Sequence, residues 1–216
     1  MNHRNEIARL RLLNQQIMPS KCKQPNDVVR TLGAIQAQDY SGALWAIGLR
    51  LPGSTQTTIE QAIANRTIVR TWPMRGTLHF VAAADVRWML ELLTPRILSG
   101  AARRDQQLGL DEAVYARCRK LFVGALQGGR QLTRDAIYQV LEREKISTDG
   151  QRGYHILWRL GQEGVICFGA HEGKQPTFAL LDEWVTQCRL ARREPISKQL
   201  DAIDPQSTRV TSSRGY

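Results

Sequence analysis

TLGAIQAQDYSGALWAIGLR, residues 31–50, places two amide side chains, Gln36 and Gln38, at a break between two stretches of helical periodicity. Apolar residues recur every three or four positions on both sides of the break, which predicts two helices joined by a short corner. The residues that carry this periodicity are Val28, Val29, Leu32 and Ile35 before the break and Leu44, Ile47 and Leu49 after it. We therefore expect the rest of the chain to support this corner.

Asp39 and Ser41 are candidates to cap the second helix, because their side-chain oxygens can accept its unpaired backbone N–H groups. The corner then presents Gln36 and Gln38 beside a helix N-terminus. An amide carries one acceptor and two donors and is neither a strong acid nor a strong base, so the pair is suited to hold a water, a sugar or a base edge. By itself, a Gln-x-Gln sequence is more often solvated surface than a functional site.

The composition indicates a globular protein that binds a polyanion. The chain has 216 residues, of which 42% are hydrophobic, and its formal net charge is +10. A chain of this length and composition can bury a core, and its length favours two small domains. Basic surfaces bind nucleic acids by releasing counterions from the phosphate backbone, so DNA is the expected partner.

Residues 1–82 predict a first winged helix, which is a helix-turn-helix domain that carries a β-hairpin. Helical segments precede two β-branched and aromatic stretches at residues 67–72 and 77–81, with a turn expected at residues 73–76. Thr57 or Thr58 is expected to open the last of these helices. Helices followed by a hairpin are typical of a winged helix.

The same order recurs in residues 83–184, which predict a second winged helix. A helix from residue 85 to 93 is expected to break at Pro95, because proline removes a backbone N–H and clashes with the preceding turn. Thr133 is expected to cap a helix over residues 134–145, and another helix spans residues 151–162. Strands at residues 165–169 and 175–180 form the second wing.

The predicted fold class is therefore mainly α with β-hairpin wings (α+β), built as tandem winged-helix domains. Residues 185–216 are polar and lack a sustained period, which indicates a disordered tail or a truncated end.

The second winged helix also supplies candidate DNA contacts. In a helix-turn-helix, the early residues of the second helix face base edges and phosphates in the major groove. The residues at these positions are Arg152, His155 and Arg159, and Lys174 lies at the tip of the second wing. We expect these four residues to contact DNA, although winged helices also bind other proteins.

Two stretches, IQAQDYSGALWA at residues 35–46 and WPMRGTLHF at residues 72–80, resemble the AlkZ-type family of bacterial winged-helix DNA glycosylases. The resemblance extends from about residue 9 to about residue 184. In that family a Gln-x-Gln motif is the catalytic element, which implies that Gln36 and Gln38 are catalytic here. Family members continue into a further winged helix and a β-rich region, so we expect the C-terminal part of the family architecture to be missing.

The resemblance implies a monofunctional DNA glycosylase that excises N7-alkylated purines and unhooks interstrand crosslinks. An N7-alkylated guanine already carries a positive charge, so a well-placed water can break its glycosidic bond without a carboxylic acid. We expect Gln36 and Gln38 to orient that water, with Asp39 as an alternative general base. The expected DNA contacts of the first wing are Arg75, Gly76, Thr77 and His79.

Two alternatives stay open at this point: a non-catalytic winged-helix DNA-binding protein or regulator, and an inactive truncated family member. The cysteines and histidines lack metal-ligand spacing, and nothing in the sequence indicates a cofactor. We expect double-stranded DNA, alkylated or crosslinked, as the partner, no metal, and a monomer. No apolar run approaches membrane-spanning length and no signal peptide is recognisable, so we expect no membrane association and a cytoplasmic protein associated with the bacterial nucleoid.

Overall fold

Short helices and strands alternate along the chain in a computed structural model that describes residues 3–18 and 20–185. The helices are α1 (His3–Asn14), α2 (Pro25–Leu32), α3 (Tyr40–Gly48), α4 (Gln56–Ala64), α5 (Val86–Gly100), α6 (Ala102–Gln107), α7 (Glu112–Leu126), α8 (Arg134–Arg143), α9 (Arg152–Gln162) and α10 (Leu181–Trp184). The strands are β1 (Ala34–Gln36), β2 (Ile68–Met74), β3 (Thr77–Ala82), β4 (Leu132–Thr133), β5 (Ile166–Phe168) and β6 (Thr177–Leu180). The prediction of a mainly helical α+β chain with β-hairpins is confirmed.

The strands of the described residues form one antiparallel sheet in the order β1-β3-β2-β5-β6-β4. The element order α2-β1-α3-α4-β2-β3 occurs a second time as α7-β4-α8-α9-β5-β6. From each edge of the sheet inward, the first, third and second strands of a repeat follow one another: β1, β3 and β2 in the first repeat and β4, β6 and β5 in the second. The repeats meet where Arg70 of β2 pairs with Phe168 of β5.

Each repeat buries a hydrophobic core of its own. The first core includes Val28, Leu44, Ile47, Ile59 and Phe80, and the second includes Phe122, Leu141, Ile156, Leu160 and Phe178. Trp72 belongs to the first hairpin but packs in the second core, with its ring centroid 5.1 Å from that of Phe168. Burial of a large aromatic side chain contributes strongly to stability, so Trp72 joins the two repeats in addition to the sheet.

The corner between α2 and α3 follows from local sequence signals. Pro25 opens α2, and Asp27 Oδ2 accepts a hydrogen bond from Gln24 N at 3.0 Å, which satisfies a free N–H group at the helix start. Gly33 ends α2 with φ of 78°, a conformation that favours glycine. The chain is thereby turned into β1, so that Ile35 lies in a strand and not in a helix.

The tip of each hairpin lies against a helix of the other repeat. Gly76 O, in the β2–β3 hairpin, accepts a hydrogen bond from Trp158 Nε1 of α9 at 3.1 Å. His171, in the β5–β6 hairpin, stacks on Tyr40 at the start of α3, with ring centroids 4.0 Å apart. The hairpins therefore hold the two repeats together from both sides.

Three local expectations are corrected by the structure. The helix expected to break at Pro95 continues to Gly100, because Glu91, whose carbonyl would have paired with the missing N–H, lies on the exposed side of α5. α4 begins earlier than expected, since Thr55 is its cap and accepts a hydrogen bond from Thr58 N. The first hairpin turns at Arg75 and Gly76 alone, and β2 extends through Pro73 to Met74.

The predicted cap of α8 is found where expected, and α7 has a cap that was not predicted. Thr133 accepts a hydrogen bond from Ala136 N at the start of α8, and Asp111 accepts one from Val114 N at the start of α7. The prediction of a disordered or truncated end concerns residues that, apart from Val185, lie outside those described. Within residues 3–18 and 20–185, no helix is long and apolar enough to cross a bilayer.

Candidate active site

The two glutamines project from the corner on either side of a buried residue. Gln36 ends β1 and Gln38 precedes α3, and both are exposed. Ala37 between them is 0% exposed and packs in the first core. Because side chains alternate along an extended chain, the buried methyl group of Ala37 sends its two neighbours toward the opposite side.

The backbone bonds at Ala37 depart from the regular antiparallel pattern. Ala37 N donates to Leu78 O at 2.8 Å, as a hydrogen-bonded pair requires. The reciprocal bond is absent, because Leu78 N donates to Gln38 Oε1 at 3.3 Å instead. The carboxamide of Gln38 is therefore held by the backbone of β3.

Arg70 takes up the carbonyl that this exchange leaves free. Its Nε and Nη2 both donate to Ala37 O, at 3.1 Å and 2.7 Å. The side chain is 7% exposed and lies between the rings of Tyr40 and Phe168, at 5.3 Å and 4.8 Å from the ring centroids. Both backbone groups of Ala37 are thus bound, so the middle of the Gln-x-Gln motif is fixed.

His79 is the neighbour of Gln36 across the sheet. The two residues are paired in register between β1 and β3, and the alternation with Ala37–Leu78 makes theirs a non-hydrogen-bonded pair, whose side chains lie close together. His79 Nδ1 lies 2.9 Å from Thr77 O, an acceptor, so Nδ1 carries the proton and Nε2 is left with a lone pair in the neutral ring. Burial, with a smaller contribution from Arg75, lowers the pKa of His79.

Asp39 occupies the N-cap position of α3, as expected, but its side chain makes no capping hydrogen bond. Its carboxylate lies over the first turn, where Oδ2 would be 2.5 Å from a Cβ placed on Gly42. Ser41 is the second residue of α3 and is exposed. Burial, followed by the charge of Glu60, raises the pKa of Tyr40 to about 12, so Tyr40 supplies a neutral hydroxyl beside Arg70.

The first hairpin carries the other residues expected near the site. Arg75 is exposed at the tip, and both Arg75 and Gly76 have positive φ, as in a two-residue hairpin turn. Thr77 is half-buried and donates its hydroxyl to Met74 O at 3.3 Å. Gly76 is held against Trp158, and His79 is only 3% exposed, so the side chain of Arg75 is the part of this group most open to solvent.

The three residues predicted on α9 are engaged within the protein. His155 Nε2 lies 2.8 Å from Asp105 Oδ1, and Arg159 pairs with Asp105, Glu112 and Glu163. Arg152 donates to Ser147 O at 3.1 Å and to the carbonyls of Leu108 and Gly109. Their contact with DNA stays a prediction, and it requires an exchange of these bonds.

Lys174 differs from these three residues because it is exposed. It lies beside Gly173 in a two-residue turn that is closed by a bridge between Glu172 and Gln175. This position is the tip of the second hairpin, as the sequence predicted. Its contact with DNA likewise stays a prediction.

The site contains hydrogen-bonding groups without a conventional acid and base pair. Two exposed amides, one neutral imidazole and the carboxylate of Asp39 lie along the corner, with the guanidinium of Arg70 beneath it. The amides can orient a water, and the amide oxygens and the carboxylate of Asp39 can stabilise positive charge on a bound sugar. In the part of the chain that the structure describes, no group of three or more His, Cys, Asp or Glu residues could hold a metal ion.

Sequence reasoning did not assign a role to Arg70 or Tyr40. A signal for Arg70 was present, because an arginine in the buried apolar strand Ile68–Met74 must find hydrogen bonds there. Its partner was not predictable, since Ala37 lies 33 positions away and no periodicity links the two residues. The position of Tyr40 against His171 likewise depends on contact between the two repeats.

Comparison with known proteins identifies a family model and two related proteins. Residues 29–209 match the family described as DNA glycosylase AlkZ-like. The interstrand DNA cross-link repair glycosylase of Streptomyces sahachiroi is 26% identical over 187 residues, which cover 81% of this chain and 48% of that protein. The solved structure of Streptomyces sahachiroi DNA glycosylase AlkZ is similar with a TM-score of 0.68 and 24% identity, over 82% of this chain and 49% of the other. The present chain therefore spans about half the length of these relatives.

Proposed function

This chain belongs to the DNA glycosylase AlkZ-like family, and from that premise we propose that it hydrolyses the bond between a damaged purine and its deoxyribose. Gln36 and Gln38 would position the attacking water. The observation that carries the proposal is the geometry of the motif, in which the buried, doubly bound Ala37 presents both carboxamides to solvent. A motif that was only solvated surface would need no such anchoring.

The proposed substrate is an N7-alkylated purine. The bond from the purine to C1′ breaks, and its electron pair neutralises the positive charge on the departing base. A water oxygen bonds to C1′, and its proton passes to solvent or to Asp39. Because the leaving group needs no protonation, hydrogen bonds that hold the water in line can suffice as catalysis.

The two amides suit different parts of this task. Gln38 Oε1 is already bound to Leu78 N, so its Nε2 and remaining lone pair are available in a fixed orientation. Gln36 lies beside His79, whose unprotonated Nε2 is a further acceptor. A water between these groups would have several partners and a defined position.

Interstrand crosslinks are included in the proposed substrate class. A crosslinked purine cannot easily be rotated out of the duplex into a deep pocket, so its enzyme needs a site that the duplex itself can approach. The exposure of Gln36 and Gln38 is consistent with such a site. The relative named an interstrand DNA cross-link repair glycosylase supports the same extension.

We further propose that the two repeats are tandem winged helices. The order helix, strand, two helices and hairpin is that of a winged helix, and the chain has it twice. α9, the helix that would enter the major groove in the second domain, is buried along most of its length. We therefore assign DNA contact first to the hairpin tips, at Arg75 and Lys174, and to the corner itself.

The substrate class is tested with a duplex that carries one N7-methylguanine and a matched duplex with unmodified guanine. We expect free N7-methylguanine and an alkali-labile abasic site from the first duplex alone. A second pair, with and without an N7-linked crosslink, tests the extension to crosslinks.

The alternative function is a non-catalytic DNA-binding protein. It fits the net charge of +10 and the repeated fold equally well. Salt-sensitive binding of both duplexes at equal affinity, with no base released from either, would support it and would contradict the glycosylase proposal.

A further inference from the structure

We propose that Arg70 is a positioning residue for the glutamine pair. Its guanidinium takes the place of Leu78 N as the donor to Ala37 O, and Leu78 N is thereby free to hold Gln38. The inference deepens the proposed function and rests on it for its catalytic meaning. Its structural content concerns three bonds that can be observed without any substrate.

The backbone groups of Ala37 and Leu78 have exchanged one of their hydrogen-bond partners. A regular hydrogen-bonded pair in an antiparallel sheet makes two N–H···O=C bonds. Here the bond from Ala37 N to Leu78 O is made, but the bond from Leu78 N to Ala37 O is not. Arg70 donates to Ala37 O in its place, and Leu78 N donates to Gln38 Oε1. Without the guanidinium, Ala37 O would be a buried carbonyl without a partner, and Leu78 N is the donor that a regular antiparallel pair would supply to it.

The guanidinium of Arg70 lies in a buried environment. Arg70 is 7% exposed, and no carboxylate among the described residues lies within 4.0 Å of its nitrogens. Burial lowers the pKa of Arg70. A buried charge is costly unless it is well hydrogen-bonded, and here both bonds of the guanidinium go to Ala37 O in the middle of the motif.

Arg70 also contacts the second repeat. Arg70 is paired with Phe168 across the β2–β5 contact, and its guanidinium lies over that ring. Tyr40 covers the other side and is itself stacked on His171. The second repeat therefore fixes Arg70, and Arg70 fixes the motif of the first repeat.

The test replaces Arg70 with lysine, which keeps the charge but offers a single donor nitrogen in place of the paired Nε and Nη2. NMR relaxation of the Gln38 side-chain amide reports on the bond from Leu78 N to Gln38 Oε1, because this bond restrains the carboxamide. In Arg70→Lys we expect Leu78 N to return to Ala37 O, so the order parameter of the Gln38 carboxamide should fall from about 0.85 to below about 0.6. A Gln38→Ala variant assigns the signal, because it removes it.

A matched control is available at Arg50. It also donates to backbone carbonyls, Gln15 O at 2.8 Å and Ala46 O at 2.7 Å, but at the contact between α1 and α3. Arg50→Lys should leave the order parameter of the Gln38 carboxamide unchanged. Backbone amides in the middle of α7 serve as an internal reference, because their order parameters should be the same in both lysine variants unless the whole protein is destabilised.

Base release separates positioning from binding. In Arg70→Lys the single-turnover rate constant should fall by about tenfold to a hundredfold, as for a misplaced catalytic group, while the dissociation constant for undamaged duplex changes less than about twofold. Arg50→Lys should match the unsubstituted protein in both measurements.

The outcomes distinguish the two proposals. An order parameter of the Gln38 carboxamide that is unchanged in Arg70→Lys, or that falls only together with those of the α7 amides, overturns the positioning role whatever the activity. A fall at Gln38 alone, in a protein whose unsubstituted form releases no base, supports the positioning role and overturns the glycosylase function.

Discussion

Ala37 determines where the two glutamines lie, because its methyl group is buried and both of its backbone groups are bound. The side chains that would act on a substrate are thus the exposed neighbours of a residue that cannot move. A site of this kind keeps its geometry although it lies at the protein surface. Leu78 and Arg70 matter for the same reason, because their hydrogen bonds hold the motif in place.

Gly76 should tolerate substitution poorly. Its φ of +68° is unfavourable for other residues, and a Cβ placed there would lie 3.1 Å from Trp158 Nε1. Gly76→Ala should lower the free energy of unfolding by about 1–2 kcal/mol, measured by urea denaturation. The matched control is Gly100→Ala, because a Cβ at Gly100 meets nothing within 4 Å and alanine favours the helix. A Gly76→Ala protein as stable as the control would show that the hairpin tip is not held against α9.

At the residue scale, the sequence predicted the position of Gln36 and Gln38 at a break in helical periodicity, and Asp39 at the start of the next helix. It did not predict that the break is a strand, because three residues are too few to show a period of two. It also did not predict the bond from Gln38 to Leu78, which depends on strand register 40 positions away.

The element that departs most from expectation is α9. A helix-turn-helix argument exposes the early residues of this helix to DNA, but His155 is 9% exposed and Arg159 lies in a network of carboxylates. The sequence showed an amphipathic helix with basic residues. It did not show that acidic residues on α6 and α7 would lie opposite them, because these contacts span about fifty positions of the chain.

The network around Asp105 should be important for stability. Asp105 accepts hydrogen bonds from Tyr115 OH at 2.6 Å and faces both His155 and Arg159. Burial and the bond to Asp105 raise the pKa of Tyr115, so the phenol remains a donor. Asp105→Ala leaves these groups without their shared acceptor and should lower the free energy of unfolding by about 3–5 kcal/mol in urea.

An exposed ion pair provides the comparison for Asp105. Asp182 lies 2.7 Å from Arg87 with 63% of its side chain exposed. Asp182→Ala should cost less than about 1 kcal/mol, because water already solvates both charges. Equal losses in the two variants would contradict the view that the Asp105 network is buried.

The whole molecule is organised by the contact of its two repeats. One sheet runs through both, Trp72 packs in the partner core, and each hairpin lies on a helix of the other repeat. The repeat itself was predictable from the order of periodic segments and turns. The joining of the sheets was not, because β2 and β5 pair through short segments with no recognisable pairing signal in their sequences.

Salt dependence should identify the residues that meet the phosphate backbone. Each lost phosphate contact reduces the slope of log K against log salt by roughly one. Arg75→Ala and Lys174→Ala should each have this effect on binding to undamaged duplex, measured by fluorescence anisotropy. Arg87→Ala should not, because Asp182 already neutralises that charge. A slope that is unchanged in Arg75→Ala would remove the first hairpin from the interface.

Gln38, held by Leu78, is the residue to which we assign the main role in base release. The most direct test of this assignment is the single-turnover release of N7-methylguanine from a duplex by the unsubstituted protein and by Gln38→Ala. We predict release by the former and a rate at least about a hundredfold lower in the variant, with nearly equal affinity for undamaged duplex. Equal rates in the two proteins would contradict the assignment of Gln38, and binding without release by the unsubstituted protein would contradict the glycosylase function itself.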